Sequence, residues 1–333
     1  MKAFWIAALL LPPPTAVAAQ QPEHRDLPGN AVAVYNLAGV VRLERGAGAD
    51  VVVEVTRGGR DAARLTIATG PISGRSTLRV IYPDDDVVYP ELGRGSEVTV
   101  HVRDDGTFND HDDRRRWDGG ERVRIAGSGS GLEAHADVRV AIPPGKRVEL
   151  YLAAGRALVS NVDGDLRVDG ASADVSADHV KGSLLVDTGS GDVRVSDVEG
   201  DVSLDTGSGT VTVDGVSGRD IRIDTGSGGV TAARVRADDV NIDTGSGDVR
   251  LDLLSDLESL YVDTGSGDVT IDVPADLGAQ VDIETGSGEI DLQDVTVRTT
   301  RLEQDHLRGE IGDGRGRMRI DTGSGGVRLV RGH

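Results

Sequence analysis

Asp187-Thr188-Gly189-Ser190-Gly191 decides the fold of this chain, because the second half of the sequence repeats it seven times, once with Glu in the first place. The copies begin at Asp187, Asp205, Asp224, Asp243, Asp263, Glu284 and Asp321. Their first residues are 18, 19, 19, 20, 21 and 37 positions apart, and the last gap divides at Asp305 into 21 and 16. Self-similarity at a short period is typical of stacked structural repeats. The spacing therefore predicts a stack of short strands.

Each repeat contains two segments in which apolar and polar residues alternate. Val193 and Val195 follow one motif, and Val202 and Leu204 precede the next. Alternation with a period of two is typical of strands with one buried face, so each repeat predicts two strands. We expect these residues to point inward: Val193, Val195, Val202, Leu204, Val211, Val213, Ile221, Ile223, Val230, Val240, Ile242, Val249, Val262, Val269, Ile271, Val281, Ile283, Ile290 and Leu292.

The motif itself has the composition of a corner between strands. Glycine at its third and fifth places suits a bend with positive φ, and its leading Asp can form an Asx-turn with its own backbone. The extra residues of longer repeats fit in turns, as at 218–220, where they leave the inward face in register. Degenerate corners precede the first copy at Gly155 and Ala173, and residues 36–40 form a weaker one.

These patterns predict an all-β protein: a right-handed single-stranded β-helix (β-solenoid) of about ten coils, spanning residues 149–333. Residues 20–148 hold less regular strands, and we expect them to form a β-rich cap over the first coil. Residues 1–19 combine Lys2, an apolar run at 4–11 and small residues at 16–19, which indicates a secretory signal peptide. The mature protein is therefore expected to be exported, to a periplasm or outside the cell.

Composition narrows the function classes. The chain carries 56 acidic and 36 basic side chains, a net charge of −20, which disfavours a nucleic-acid partner. It has no cysteine, so packing rather than disulfides must stabilise it. Aromatic residues make up 3%, as suits a narrow core of stacked aliphatic side chains. Beyond the signal peptide, no segment predicts a membrane span.

A charged loop at residues 104–121 interrupts the predicted cap. It contains Asp104, Asp110, Asp112 and Asp113 together with Trp117. Such a loop is either a solvated hairpin tip or a functional site. Dense carboxylates beside an aromatic side chain are typical of sites that bind a cation or contact a partner. The four carboxylates are therefore candidate cation ligands.

The sequence offers no catalytic constellation. Asp-Thr-Gly-Ser is also the signature of aspartic proteases, which pair two such loops across a cleft, whereas here the copies follow one another along a stack. The glycines lack the Lys-Ser/Thr that a phosphate-binding loop requires. The histidines, at 24, 101, 111, 135, 179, 306 and 333, show no metal-binding spacing.

Calcium binding is the strongest alternative for the repeat. Calcium β-rolls share its nine-residue half-period, but their glycine and Asp positions differ from Gly191-Asp192 and Gly200-Asp201. We expect a weak cation ladder formed by the stacked first residues Asp187, Asp205, Asp224, Asp243, Asp263, Glu284 and Asp321, with Asp305 between the last two. No cofactor is expected apart from weakly bound Ca²⁺.

The stretch from Asp187 to Val193 and its copies, behind a signal peptide and an irregular β-rich head, resembles the bacterial putative-adhesin β-strand-repeat family, a domain of unknown function. The resemblance covers about residues 149–333 and is faint at 36–43. It implies a single-stranded β-helix exported from a bacterium, and it brings no catalytic residues.

We therefore expect a non-enzymatic cell-envelope scaffold or adhesin-like binding module, with an unidentified protein or glycan partner. The alternative is a β-helix enzyme that cleaves polysaccharides, although such sites gather acidic and basic residues in one groove. The last repeat, Arg317 to Val330, is expected to leave an open edge at which Arg328 and Arg331 discourage pairing, so the protein should be a monomer.

Overall fold

A computed structural model describes residues 21–109 and 120–332, in which β-strand is the main secondary structure. The predicted signal peptide lies outside the described residues. Within these ranges, 3₁₀ turns occur at Ala62–Arg64 and Pro90–Leu92. The first ten strands are β1 (Glu23–Leu27), β2 (Ala31–Arg45), β3 (Val51–Gly58), β4 (Thr66–Ile72), β5 (Arg75–Ile81), β6 (Asp86–Val88), β7 (Glu97–Val102), β8 (Glu121–Ala126), β9 (Leu132–Glu133) and β10 (His135–Ile142).

Most of the remaining strands belong to the repeats. These are β11 (Lys146–Lys181), β12 (Leu184–Ser190), β13 (Val193–Glu199), β14 (Val202–Thr206), β15 (Val211–Ser217), β16 (Asp220–Thr225), β17 (Val230–Arg236), β18 (Asp239–Thr244), β19 (Val249–Leu253), β20 (Ser259–Thr264), β21 (Val269–Val273), β22 (Ala279–Thr285), β23 (Ile290–Gln293), β24 (Arg298–Leu302), β25 (His306–Ile311), β26 (Gly316–Thr322) and β27 (Val327–Arg331).

The repeat strands form two parallel ladders. β12 pairs with β14, β14 with β16, β16 with β18 and β18 with β20, which we call the first ladder. β13, β15, β17, β19 and β21 pair successively in the second ladder. Each repeat thus gives one strand to each ladder, and we call that pair a rung. The prediction of an all-β chain with two strands per repeat is confirmed.

Alternation along the strands correctly assigns the core. Val193, Val202 and Ile221 are each at most 2% exposed, and the other predicted inward residues are buried as well, apart from two. Ile290 and Leu292 are partly exposed because they lie on β23, which among the described strands pairs with β27 on one side only. A strand at the end of a ladder has a neighbouring rung on one side only.

An insertion between repeats is absorbed in a turn, as predicted for residues 218–220. The carboxylate oxygen Oδ1 of Asp201 accepts the N–H of Arg219 at 3.0 Å and that of Asp220 at 3.1 Å. One side chain thus binds both the inserted position and its neighbour. The inward face resumes in register, because Val202 pairs with Ile221.

The ladders continue into the region predicted as a cap. Residues 31–44 of β2 pair in parallel with residues 147–160 of β11, which sets Gly39 beside Gly155 and confirms the weak corner at 36–40. Beyond β2 the pairing becomes mixed: β10 is parallel to it, and β3 is antiparallel to β10. A separate sheet of β7, β8, β6 and β9 lies in this region too.

At the other end, the order of rungs departs from the order of the sequence. β26 pairs with β20 on one side and with β22 on the other, and β27 lies likewise between β21 and β23. Residues 316–331 therefore lie inside the stack, and the predicted open edge at Arg317 to Val330 is wrong. The far edge of β22 is already paired with antiparallel β25, so the next repeat cannot stack there.

Candidate functional site

The first residues of the motif form a column of carboxylates. Parallel pairing places each of them in register with the next, about 4.8 Å away. In stack order the members are Asp169, Asp187, Asp205, Asp224, Asp243, Asp263, Asp321 and Glu284. Asp169 was not predicted, and Asp321 and Glu284 exchange places relative to the sequence.

Asp305 does not belong to this column, contrary to the prediction. In the antiparallel pairing of β25 with β22, Glu284 lies opposite His306 rather than beside another carboxylate. The carbonyl of Asp305 accepts the N–H of Thr285 at 2.8 Å. The 21-residue spacing between Glu284 and Asp305 does not mark a further coil. It separates β22 from β25, the strand that returns antiparallel to it.

The threonine of the motif, not its Asp, makes the hydrogen bonds of the corner. Thr206 is buried, and its hydroxyl donates to the carbonyl of Gly191 in the preceding rung at 3.3 Å. The same oxygen accepts the N–H of Gly209 at 3.2 Å. The arrangement recurs at Thr225, Thr244, Thr264 and Thr322. Each corner is thereby bonded internally and to the rung before it.

The predicted Asx-turn is wrong for the corners that follow the first. The N–H that such a turn would use belongs to the third residue of the motif. In Gly207 this N–H donates to the carbonyl of Thr188, one rung away, at 3.0 Å, and Gly226 bonds Thr206 in the same way at 3.1 Å. Because the donor is already bonded between rungs, the Asp side chain remains free to face outward.

The reason for the motif glycines also differs from the prediction. Gly191 has a positive φ of 148°, but the glycines of the later copies do not have φ in that region. A Cβ on Gly209 would overlap the carbonyl oxygen of Gly191, and one on Gly228 would overlap that of Gly209. Glycine is required because the backbones of successive rungs approach each other too closely for a side chain.

Other aspartates join the rungs outside the column. Asp192 Oδ1 accepts the N–H of Thr210 at 3.1 Å, and Asp174 Oδ1 accepts that of Asp192 at 3.0 Å. Asp201 does the same for the turn at residues 218–220. These residues follow the turns, so many of the repeated carboxylates have a structural role.

Two carboxyl groups in the middle of the column have raised pKa values. Loss of hydration, followed by repulsion from Asp187 and Asp224, raises the pKa of Asp205. The pKa of Asp243 is raised by the same causes, with the repulsion coming from its own two neighbours. The predicted repulsion is therefore present. It opposes folding at neutral pH, because folding brings these charges together.

Replacing column carboxylates by amides should stabilise the protein at neutral pH. Folding raises the pKa of Asp205 and of Asp243, so the folded state binds more protons than the unfolded state. The free energy of unfolding therefore falls as the pH rises from the ordinary carboxyl pKa through the raised pKa. We expect Asp205→Asn with Asp243→Asn to raise Tm by about 1–2 °C at pH 7 and to change it little at pH 3. Thermal melts followed by circular dichroism would measure this.

Asp214→Asn is the matched control, because an ion pair with Arg234 lowers the pKa of Asp214. It should lower Tm slightly at pH 7 or leave it unchanged. If the double column variant were instead less stable than the wild type at pH 7, repulsion along the column would not be the dominant effect.

Cation binding by the column remains a prediction. The column supplies one carboxylate per rung, whereas Ca²⁺ takes six to eight oxygen ligands. Asp205, Asp224 and Asp243 are exposed, so water would have to complete the coordination. We expect weak binding that lessens the repulsion between carboxylates.

The predicted loop site lies mostly outside the described residues, which omit Asp110, Asp112 and Asp113. Asp104 is described and exposed. The start of the loop is anchored: Phe108 is buried and packs edge-on against Tyr35, with ring centroids 5.9 Å apart. Asn109 donates from its side-chain amide to Asp169 Oδ1 at 3.1 Å.

That bond connects the charged loop to the buried end of the carboxylate column. Asp169 is only 3% exposed, and burial raises its pKa while the Asn109 hydrogen bond opposes the rise. The sequence did not predict this link, because residues 109 and 169 are far apart in the chain. No signal in the repeat indicates it.

A second cluster lies at another bend of the stack. His179 Nδ1 lies 2.7 Å from Asp178 Oδ2, and its Nε2 lies 3.9 Å from Asp197 Oδ2. The hydrogen bond with Asp178 is the main cause that raises the pKa of His179. Asp197 is 18 residues after His179, so the repeat period itself would have identified this neighbour. The group is an exposed ion pair whose imidazole and carboxylates suit a transition metal.

An open groove of about 590 Å³ runs along the outer face of the first ladder. Five side chains in register, one from each of five successive strands, form a row about 19 Å long within it. These are Leu185, Ser203, Arg222, Asn241 and Tyr261. All five differ, although the inward and corner positions beside them repeat from rung to rung.

Arg222 and Tyr261 give this groove recognition chemistry. The Arg222 side chain is exposed, whereas Tyr261 is partly buried and donates its hydroxyl to Asp263 Oδ2 at 2.9 Å. These guanidinium and phenol groups, with Asn241 between them and Ser203 on the other side of Arg222, can form hydrogen bonds and stacking contacts with an extended ligand. The repeated inward and corner residues give no indication of this row, because it lies at outward positions where the residues differ.

Comparison with known proteins gives few relatives. No curated protein matches the sequence. A solved structure described as a putative cell adhesion protein from Clostridium sporogenes is 11% identical, with 94% of this chain and 100% of that chain covered and a TM-score of 0.22. Among the described residues, no helix has the length and apolar character needed to cross a membrane.

A family model does match most of the chain. It spans residues 99–330, a range that includes the repeats and also crosses the predicted boundary at residue 148. Strand pairing crosses the same boundary, because residues 147–160 of β11, which continues into the repeats, pair with β2 of the predicted cap. The match to the family model also confirms the resemblance to an adhesin-like family of unknown function that the repeated motif indicated. The chain belongs to the Toastrack DUF4097 family.

Proposed function

We propose that this protein is a non-enzymatic binding module of the bacterial cell envelope, and that it recognises an extended protein or glycan through the outer groove of its first ladder. The observation that carries the proposal is the contrast within one chain between repeated and varied positions. Thr206 and its equivalents are constant in all seven copies of the motif, whereas the groove row has five different side chains. Stacking does not require that variety, so it is available for recognition.

The architecture that we propose for this module is a right-handed single-stranded β-helix of about ten coils. The two parallel ladders and the regular offset between rungs support it. Residues 20–148 act as the cap and residues 149–333 as the helix, with residues 1–19 removed on export. The apolar run at 4–11 and the small residues at 16–19 support export to the periplasm or cell surface.

Polysaccharide cleavage is the competing proposal, and the carboxylates beside the groove allow it to be weighed. Asp201 lines the groove, but its carboxylate accepts two backbone N–H groups from residues 219 and 220, which lowers its pKa. A carboxyl group held ionised in this way is a poor proton donor at neutral pH. This counts against Asp201 as the acid catalyst of a glycan-cleaving site.

The test compares groove variants on isolated envelope fractions and on a panel of envelope glycans. Arg222→Ala with Tyr261→Ala should weaken saturable binding by at least about tenfold, because arginine and tyrosine often dominate interfaces. Arg236→Ala, an exposed arginine on the second ladder, should leave it within about twofold. Equal binding by all three proteins would contradict the groove. Release of new reducing ends from a glycan would favour the enzyme.

A further inference from the structure

Residues 316–331 form a rung that is inserted between two others. Asp321 of β26 pairs with Asp263 of β20 on one side and with Glu284 of β22 on the other. Leu329 of β27 likewise lies between Ile271 and Leu292. Rung 316–331 therefore follows rung 279–293 in the sequence but lies between it and rung 259–273 in the stack.

The return path passes over a strand that is already paired. β25 ends at Ile311 and β26 starts at Gly316, and these two residues flank Ala279 at the beginning of β22. The link of residues 312–315 must cross that strand. Connections between neighbouring elements seldom cross in this way.

Glycines make the crossing sterically feasible. Gly312 and Gly314 have φ of 55° and 70°. A Cβ on Gly278, which lies below the link, would overlap the carboxylate of Asp313. Gly316 then donates its N–H to the carbonyl of Gly278 at 2.7 Å. The link is short and tightly packed, which is the kind of hinge that favours exchange of segments between copies.

The contacts made by the inserted rung would be the same if another copy supplied it. Thr322 donates to the Gly267 carbonyl at 3.0 Å and accepts an N–H from Gly325. Gly326 donates to Asp268 Oδ1 at 2.8 Å, and Arg328 Nε lies 3.0 Å from Asp291 Oδ2. These bonds and the parallel strand pairing join residues 316–331 to the rungs on either side, 259–273 and 279–293. We call the space between those two rungs the slot. Only the link at 312–315 requires that the inserted rung and the slot belong to one chain.

The rung beyond the insert carries the same stacking pattern as the insert itself. Residues 279–285 carry the same inward alternation and Thr-Gly corner as residues 316–322, with Val281, Ile283 and Thr285 buried. The 21-residue spacing from Asp263 to Glu284 resembles the other repeat offsets. Rung 279–293 can therefore stack directly on rung 259–273 when the insert is absent, so exchange need not leave an apolar surface in water.

We propose that residues 316–331 are an exchangeable rung, which occupies the slot between β20 and β22 either in its own chain or in a second copy of it. A chain that holds its own rung is the monomer expected from the sequence. Two chains that trade rungs form a dimer whose interface reproduces the slot contacts. This inference is independent of the proposed binding function.

Single cysteines report the exchange, because the natural chain has none. Tyr261 and Arg319 are register partners on β20 and β26, whereas Asp282 lies one strand beyond Arg319. Adjacent strands place Cα atoms about 4.8 Å apart, within disulfide range, and strands two apart do not. Tyr261→Cys and Arg319→Cys proteins would be refolded together at high concentration and analysed by non-reducing electrophoresis.

A mixed covalent dimer containing one copy of each variant is the expected result. The control mixes Tyr261→Cys with Asp282→Cys, whose cysteines remain two strands apart in an exchanged dimer. A Tyr261→Cys/Arg319→Cys double variant should form its disulfide within one chain when dilute. The proposal is overturned if the first mixture gives no more dimer than the control, or if the double variant fails to form its disulfide.

A shortened link provides an independent test in the otherwise natural chain. Deletion of residues 313–315 leaves one residue between Ile311 and Gly316, a reach of about 7 Å. The crossing spans two strand spacings, about 9.6 Å. A chain so shortened cannot insert its own rung, and light scattering should show at least a tenfold higher dimer fraction. A folded monomer, or a protein that fails to fold at high concentration, would contradict exchange.

Discussion

Gly209→Ala should lower the stability of this protein more than its size suggests. The added Cβ would overlap the carbonyl oxygen of Gly191 in the adjacent rung, and backbone cannot move aside as a side chain can. Separating the rungs would also stretch the hydrogen bond from the Thr206 hydroxyl to the Gly191 carbonyl of the preceding rung. We expect a loss of about 3 kcal/mol or more, which corresponds to a fall in Tm of about 6–12 °C.

Gly229→Ala is the matched control for this substitution. Gly229 lies at the next corner, just after the motif, and a Cβ there would lie 3.5 Å from the nearest atom, the carbonyl oxygen of Asp248. That is ordinary van der Waals contact, so Tm should change by no more than about 2 °C. Equal effects of the two substitutions in thermal melts would refute the close-approach explanation of the motif glycines.

Val202→Asp should be the most destabilising single change in the core. Val202 is 2% exposed and lies between Leu184 and Ile221 in the first ladder. A carboxylate there would lose its hydration and find no polar partner between aliphatic neighbours, at a cost of several kcal/mol. We expect loss of the cooperative melt at 37 °C or a fall in Tm of more than about 10 °C.

Ser203→Asp tests the same charge on the opposite face. Ser203 is the next residue, points into the outer groove, and is a register partner of Arg222. It should fold normally, with Tm within about 2 °C of the wild type. If both variants melted like the wild type, the alternation that assigns the core would be wrong.

The sequence was sufficient for the strands and the core because both follow from strict periodicities. Successive side chains on a strand point to opposite faces, so Val193 and Val195 could be assigned inward without a structure. The same parity, continued from Leu184 and Val186, places Thr188 inward as well. The buried threonines could therefore have been predicted, but the glycines and aspartates of the motif were given the corner role instead.

The order of the last rungs could not be predicted. Rung 279–293 and rung 316–331 carry the same motif and similar inward residues, so local pattern does not decide which one stacks on β20. Their order depends on β25, which covers the edge of β22 through antiparallel pairing. Its hairpin resembled one further repeat, because Asp305 lies 21 residues after Glu284.

Two other features were not predicted from the sequence, for different reasons: the hydrogen bond from Asn109 to Asp169 and the groove row. The first is a single contact between distant segments, which no periodicity reports. The second would have required the outward residues Leu185 and Arg222 to be compared for their differences. In a repeat protein, the positions that vary are as informative as those that recur.

Thermal melts in chelator and in calcium test the central claim most directly, which is that backbone and threonine contacts, not bound cations, hold the corners together. We expect the same circular dichroism spectrum and a cooperative melt in excess chelator, with a modest rise in Tm when millimolar Ca²⁺ is added, because cations reduce the repulsion along the column from Asp187 to Glu284. A protein that is unfolded in chelator and folds when calcium is added would contradict this account and make the repeat a calcium β-roll.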